Sequence, residues 1–417
     1  MPAVPADLCI EARWIVPLCA RGRVLENHAL VVRDGRILDV LPSADALDRY
    51  AATVVTRRAA HLLMPGMINA HTQAASSLFR GLSAPPPASL ERNFVGPEFV
   101  YDGALCAIAE MLISGITCFG DRYRHPGAAA KAAAESGMRA VIGLPVSETG
   151  SPAEGLSVRD EYSAHPSIST VFAPGAPDTM SDAAFARLAT LADELDAGIV
   201  IDVNSSADAI ARCVAQHGMR PIERLWRLGL LTPALNAVYM THATPADIEL
   251  AQRTGISISL GATSSLNLGH QMPPVAALFA SGMRLGLGTG VGPCSSQNVW
   301  AEMKLIALTA ADFAWDALTL ATRGGAAVLG LDADVGTLEP GKWADLCCVD
   351  MRGPAVQPLS DPVTQLVFCG GRDMVSDVWV AGRHLLADRE LTRLDWASVA
   401  ARAYLWAARI AESESHA

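Results

Sequence analysis

Four side chains able to move protons sit at or just past the ends of short Val- and Ile-rich runs. They are His71 in Asn69-Ala70-His71-Thr72-Gln73, Asp202 in Ile201-Asp202-Val203-Asn204-Ser205, Tyr239, and His242 three residues on. Histidine is the side chain whose ordinary pKa lies nearest neutrality, so it can take or give a proton there. Asp202 is a charge on a run otherwise made of Ile and Val, and a buried carboxylate without a partner is costly. A His71–Asp202 pair would meet that need, orient the imidazole and raise its basicity. Tyr239 or His242 would then act as the acid. The plainer alternatives are a His71 that only hydrogen-bonds within the fold and a Tyr239 that only fills space. Gln73, Asp121 and Arg122 are expected to contact a small polar substrate, with Arg124 and His125 following in a solvated or anion-binding loop. Cys294, in Pro293-Cys294-Ser295-Ser296, could be a nucleophile paired with His242, although a lone thiol is usually inert. The glycine-rich run 286–292 lacks the Gly-Lys-Ser/Thr ending of a phosphate loop.

These groups need elements that bring them to one place. Eight short runs, apolar on both faces, read as buried parallel strands: 63–70, 116–120, 139–144, 169–173, 199–203, 237–241, 256–260 and 284–288. Helical patterns fill the gaps. Residues 101–114 place Leu105, Ile108, Ala109 and Leu112 on one face, and Ser181 reads as the N-cap of a helix over 182–196. Thr244-Pro245-Ala246-Asp247 reads as cap, first-turn proline and acid. Eight such β/α units predict an α/β fold, a (β/α)8 TIM barrel over residues 61–335, whose reacting groups lie at the C-terminal ends of its strands. Both ends of the chain carry short strands and tight turns, including 346–349, 365–369 and 378–381. Residues 1–60 and 336–390 are expected to meet as one small β-sandwich domain, followed by a C-terminal helix within 391–417.

Several motifs in order carry a family resemblance. Met64-Pro65-Gly66-Met67-Ile68-Asn69-Ala70-His71-Thr72 resembles the first-strand signature of the amidohydrolase superfamily, in the branch of chlorohydrolases, guanine deaminases and adenosine-derivative deaminases. Leu338-Glu339-Pro340-Gly341-Lys342-Trp343-Ala344-Asp345-Leu346 is similar to that branch's C-terminal segment, and the likeness runs from Arg33-Asp34-Gly35 to Ala381-Gly382-Arg383. The resemblance implies hydrolysis of a non-peptide C–N bond, assisted by zinc or iron that activates a water. It also implies metal ligands from a His-x-His on strand one, His on strands five and six, and Asp on strand eight. Here those positions hold His71 and Gln73, Asp202, Tyr239 and Gly290, with Ser205 at the place of the proton-shuttling Glu. Gly175 and Leu260 fall where two further family histidines stand. The expectation is therefore a site with no metal cofactor, or one rebuilt from His71, Asp202 and His242. The resulting function is a C–N hydrolase of the deaminase or amidase type. The alternatives are an inactive relative serving as a binding protein or partner subunit, and a metal-free lyase or isomerase.

The chain has 417 residues, enough for such a barrel and a second domain. A net charge of −11 with no Lys/Arg cluster opposes a nucleic-acid partner. Nine cysteines without a CxxC pair fit reduced thiols, and no basic leader or long apolar run stands out, so a cytoplasmic homo-oligomer such as a dimer is expected, away from any membrane.

Overall fold

The structure, a computed structural model, describes residues 3–82, 88–148, 153–290, 296–309 and 313–414. Four strands open the chain: β1 (Val4–Ile15), β2 (Leu25–Arg33), β3 (Arg36–Pro42) and β4 (Tyr50–Pro65). The barrel follows with β5 (Met67–Thr72), β6 (Ile116–Asp121), β7 (Arg139–Val146), β8 (Ile168–Pro174), β9 (Ile199–Val203), β10 (Leu235–Tyr239), β11 (Ser257–Leu260) and β12 (Arg284–Leu287). The chain returns through β13 (Leu346–Asp350), β14 (Val375–Val380), β15 (Arg383–Ala387) and β16 (Glu390–Leu391).

Strands β5 to β12 form one parallel sheet in chain order, as eight β/α units require. Thr72 and Gly290 make a parallel bridge that joins the first strand to the segment after the last. The other sheet runs β16-β15-β14-β13-β4-β1-β2-β3, so both chain ends build it. Strand β4 pairs β1 on one side and β13 on the other, which puts the seam between the two ends at its centre.

The helical caps are those the sequence indicates. Ser181 Oγ accepts the Ala184 amide at the start of helix Asp182–Glu194. Thr244 and Asp247 make a reciprocal capping box on Pro245–Thr254. Two expectations are corrected. The run 63–70 is not one strand: it ends β4, turns at Gly66 and begins β5. A Cβ on residue 66 would lie 2.1 Å from the Thr117 side chain, so only glycine lets the chain pass between the two sheets here. The run 365–369 is helical, Pro362–Cys369, because Asp361 caps it through the Val363 amide and Pro362 fills its first turn.

The sheets are locked by a buried ion pair. Arg139, first residue of β7, donates from Nε to Asp345 Oδ2 (2.7 Å) and from Nη2 to Oδ1 (3.1 Å). Asp345 Oδ1 also accepts the Ala381 amide at 2.7 Å. The C-terminal helix Trp396–Glu414 packs on Pro97–Ile113, where Trp406 Nε1 donates to Asp102. No helix among the described residues is long and apolar enough to cross a membrane.

Candidate active site

His71 stands next to last on β5, almost wholly buried, 2% exposed. Its carbonyl accepts the Gly290 amide at 3.0 Å, and its ring meets Tyr239 edge-on with centroids 5.8 Å apart. Among the described residues its Nε2 has no hydrogen-bond partner. Burial pushes its pKa down to about 4, with Arg122 adding to the drop and Asp202 opposing it. His71 is thus a neutral imidazole near pH 7.

Asp202 lies on β9, yet it pairs with Arg122 rather than with His71. Arg122 follows β6 and reaches across the barrel, with Nη2 also donating to the Pro174 carbonyl at 3.3 Å. The pair is partly buried, so neither charge is left unpaired in the mouth. Its attraction sets Asp202 as the anchor of a cation.

Asp121 is 4% exposed, and its Oδ1 accepts the Ala74 amide at 2.7 Å. That bond ties the turn after β5 to the end of β6. Burial raises the Asp121 pKa to about 7 against the pull of that amide. The backbone bends sharply where β9 and β10 end: Asn204, Tyr239 and Met240 have φ of 48°, 76° and 50°. Non-glycine residues rarely adopt this region, and such strain concentrates at functional sites.

Gly290 also needs its glycine, with φ 67°. A Cβ there would stand 2.5 Å from Ser264 Cβ and 3.4 Å from the Tyr239 hydroxyl. Tyr239 therefore occupies the volume into which a longer residue 290 would project. His242 lies apart from this group. Its ring packs on His270 at 6.0 Å, its carbonyl accepts Arg220, and it lines neither cavity described next.

A pocket of about 710 Å³ opens at the mouth between β6, β7 and β8. Gln73, Arg122, Tyr123, Arg124 and His125 line it, with Glu91 bridging to Arg124 and Tyr123. A second cavity of about 330 Å³ runs inside the barrel beneath, with His71, Asp121 and Arg122 in its wall. Gln73 and Arg122 thus face the mouth, His71 the interior, and Arg122 both. Cys294 and residues 291–295 lie outside the described residues.

The sequence reading missed one supporting network. Asn69 Nδ2 donates to Thr289 Oγ1 (2.9 Å) and to Gln297 Oε1 (3.1 Å), and Asn69 Oδ1 accepts the Thr289 amide (3.0 Å). Thr72 also donates to Gln297 Oε1 at 2.8 Å. All four residues are buried. They fasten β5 to the chain after β12 on either side of His71. The Asn69 amide, beside His71 and Thr72 on β5, was the signal that could have found it.

Residues 62–385 match the Amidohydrolase family. The chain is 37% identical to a 5-methylthioadenosine/S-adenosylhomocysteine deaminase from Teredinibacter turnerae, over 96% of this chain and 97% of the relative. It is 36% identical to the protein of the same name from Saccharophagus degradans, over 97% of each. Among solved structures, an adenosine deaminase from Xanthomonas campestris with bound zinc superposes at a TM-score of 0.94. It is 38% identical, and the match covers 99% of this chain and all of that one. An atrazine chlorohydrolase from Arthrobacter aurescens, complexed with zinc, shares the fold at 20% identity and a TM-score of 0.86, over 96% of this chain and all of that one.

The zinc in so similar a relative overturns the expectation of no metal cofactor. Such an ion needs three or more side chains converging from the described residues. No three of their His, Cys, Asp or Glu side chains come together as a ligand group, so the set His71, Asp202 and His242 is not assembled. Asp202 is held by Arg122, and the space beside Gly290 is taken by Tyr239 and Ser264. The described side chains do not by themselves fit the ion. Sequence, length and fold agree on kinship nonetheless: the chain belongs to the amidohydrolase family.

Proposed function

We propose that this chain is a hydrolytic deaminase of the amidohydrolase type, acting on the exocyclic amine of an adenosine-class nucleoside. The observation that carries the reading is the near end-to-end likeness, at 38% identity and a TM-score of 0.94, to an adenosine deaminase. Deamination needs water to add at the amine-bearing carbon, a proton to leave that water, and a proton to reach the departing ammonia. His71, neutral near pH 7 with Nε2 unpartnered among the described residues, suits the acceptor role. Arg122, held by Asp202, and Gln73 suit binding of the polar nucleoside in the mouth pocket. Of the two acids expected from sequence, Tyr239 is the one edge-on to His71, whereas His242 packs on His270. Asp121 and His242 fit positioning better than contact.

The test is ammonia release by the purified protein, with zinc supplied, from adenosine, 5′-methylthioadenosine and S-adenosylhomocysteine. The reading expects one ammonia per nucleoside converted, and loss of at least about a hundredfold in rate for His71→Ala, the scale of a general base. No ammonia above the protein-free blank from any of the three would refute it.

A further inference from the structure

The interior of a TIM barrel is ordinarily filled by layers of bulky side chains. Here part of that interior is a cavity. The 330 Å³ cavity reaches from His71 and Arg122, at the C-terminal ends of β5 and β6, to Asp196 before β9 and Arg284 at the start of β12. It therefore spans the full height of the sheet, which for a five-residue strand such as β9 is roughly 16 Å. Its wall mixes small residues, Ala70, Gly120, Ser169 and Ser257, with Val141, Val171, Val200 and Leu329. Ser169 is solvent-exposed although β8 sits between β7 and β9 in the sheet. One polar lining residue, Asn236, is hydrogen-bonded to Ser259 on the next strand, at 2.9 and 3.1 Å. At the far end, His71 is 2% exposed and its Nε2 lacks a partner among the described residues. A water needs only about 10–15 Å³ of such space and two to four polar partners.

We infer that the barrel axis is a passage for water-sized neutral molecules between the N-terminal face and His71. Solvent would thus meet the imidazole from beneath while the nucleoside fills the mouth above. The chemistry of the proposed reaction matches that size. One water is consumed, its oxygen bonding to carbon, and one ammonia leaves as the C–N bond breaks. That role rests on the deaminase reading; the passage itself does not.

The test therefore measures access and not turnover. Ala70→Cys places a thiol in the wall beside His71. Labelling by methyl methanethiosulfonate is followed peptide by peptide, with Cys118 on β6 as internal reference. Cys118 is fully buried, with a thiol pushed up to about 12. The passage predicts that the introduced thiol is modified at least tenfold faster than Cys118. It also predicts that Val200→Phe, or independently Val171→Phe, slows labelling at position 70 at least tenfold by blocking the axis below it. Melting curves establish that each variant is folded, and the second block serves if the first is not. Equal rates at the introduced thiol and at Cys118 would overturn the inference. So would a rate at position 70 indifferent to both blocks, which would mean access from the mouth alone. Failure of the ammonia assay with this labelling pattern intact would refute only the deaminase reading.

Discussion

Replacing Arg139 by Met tests how the two sheets are held together. The Arg139 side chain is 5% exposed and that of Asp345 is 2%, so removing the guanidinium strands a carboxylate in the interior. Among the described residues only the Ala381 amide remains as its donor. Breaking a buried pair from one side costs about 3–5 kcal/mol, most of it the uncompensated charge. A chain of 417 residues unfolds with an entropy of about 0.9 kcal/mol/K, from roughly 2.1 cal/mol/K per residue. The melting temperature should therefore fall by about 3–6 °C if the chain melts as one unit. Removing both charges, as Arg139→Met with Asp345→Leu, takes away the stranded ion and should recover about half of that loss or more. Differential scanning calorimetry of the parent, both single variants and the double variant completes the cycle. A single Arg139→Met variant within about 1 °C of the parent would show that the pair contributes little net stability.

Three further outcomes follow from the site, and a fourth from its glycine. His71 has a folded pKa of about 4 against an ordinary value of 6.5. The unfolded chain thus binds the extra proton first, so stability contributed by this group rises with pH between about 4 and 6.5 and is lost below, by about 3 kcal/mol in all; His71→Asn should flatten that part of the urea-midpoint profile, and an unchanged profile would count against it. By the same electrostatics, Arg122→Gln should raise the His71 midpoint in an NMR titration and Asp202→Asn should lower it, and shifts in one common direction would contradict the pairing. Asn69→Leu leaves the Thr289 amide without its acceptor and should cost about 2–4 kcal/mol in chemical denaturation, whereas a cost near zero would mean the network is slack. Gly290→Ala should destabilise by about 1–3 kcal/mol through its φ and the Ser264 contact, and Ser264→Gly beside it should recover only the contact part.

The barrel was legible because parallel strands buried on both faces read as unbroken apolar runs, and β9 was delimited to the residue. The same continuity hid the boundary at Gly66: the run from Leu62 to Met67 is apolar throughout, and periodicity gives no sign that it crosses between sheets. Helix Pro362–Cys369 was missed because a short, mostly apolar run fits either period, although Asp361-Pro362 held the arbitrating signal. The site was legible as a set of positions and less so as a set of partners. Arg122 follows β6 and Asp202 stands on β9, strands that are not neighbours, and an ion pair across the barrel leaves no local pattern. The Tyr239 hydroxyl beside Gly290 likewise depends on a backbone bend that composition does not encode.

The central place of β4 has a consequence for synthesis. When the ribosome has made residues 4–65, β4 has its β1 partner available on one side, while its other edge waits for β13. That partner emerges only after the whole barrel has been translated, tens of seconds later at ordinary elongation rates. During that interval His61, Leu62, Leu63 and Met64 offer an open, mostly apolar edge to any passing strand. Nascent chains stalled within the barrel should therefore be the ones that demand chaperones, and full-length chains released from the ribosome should not.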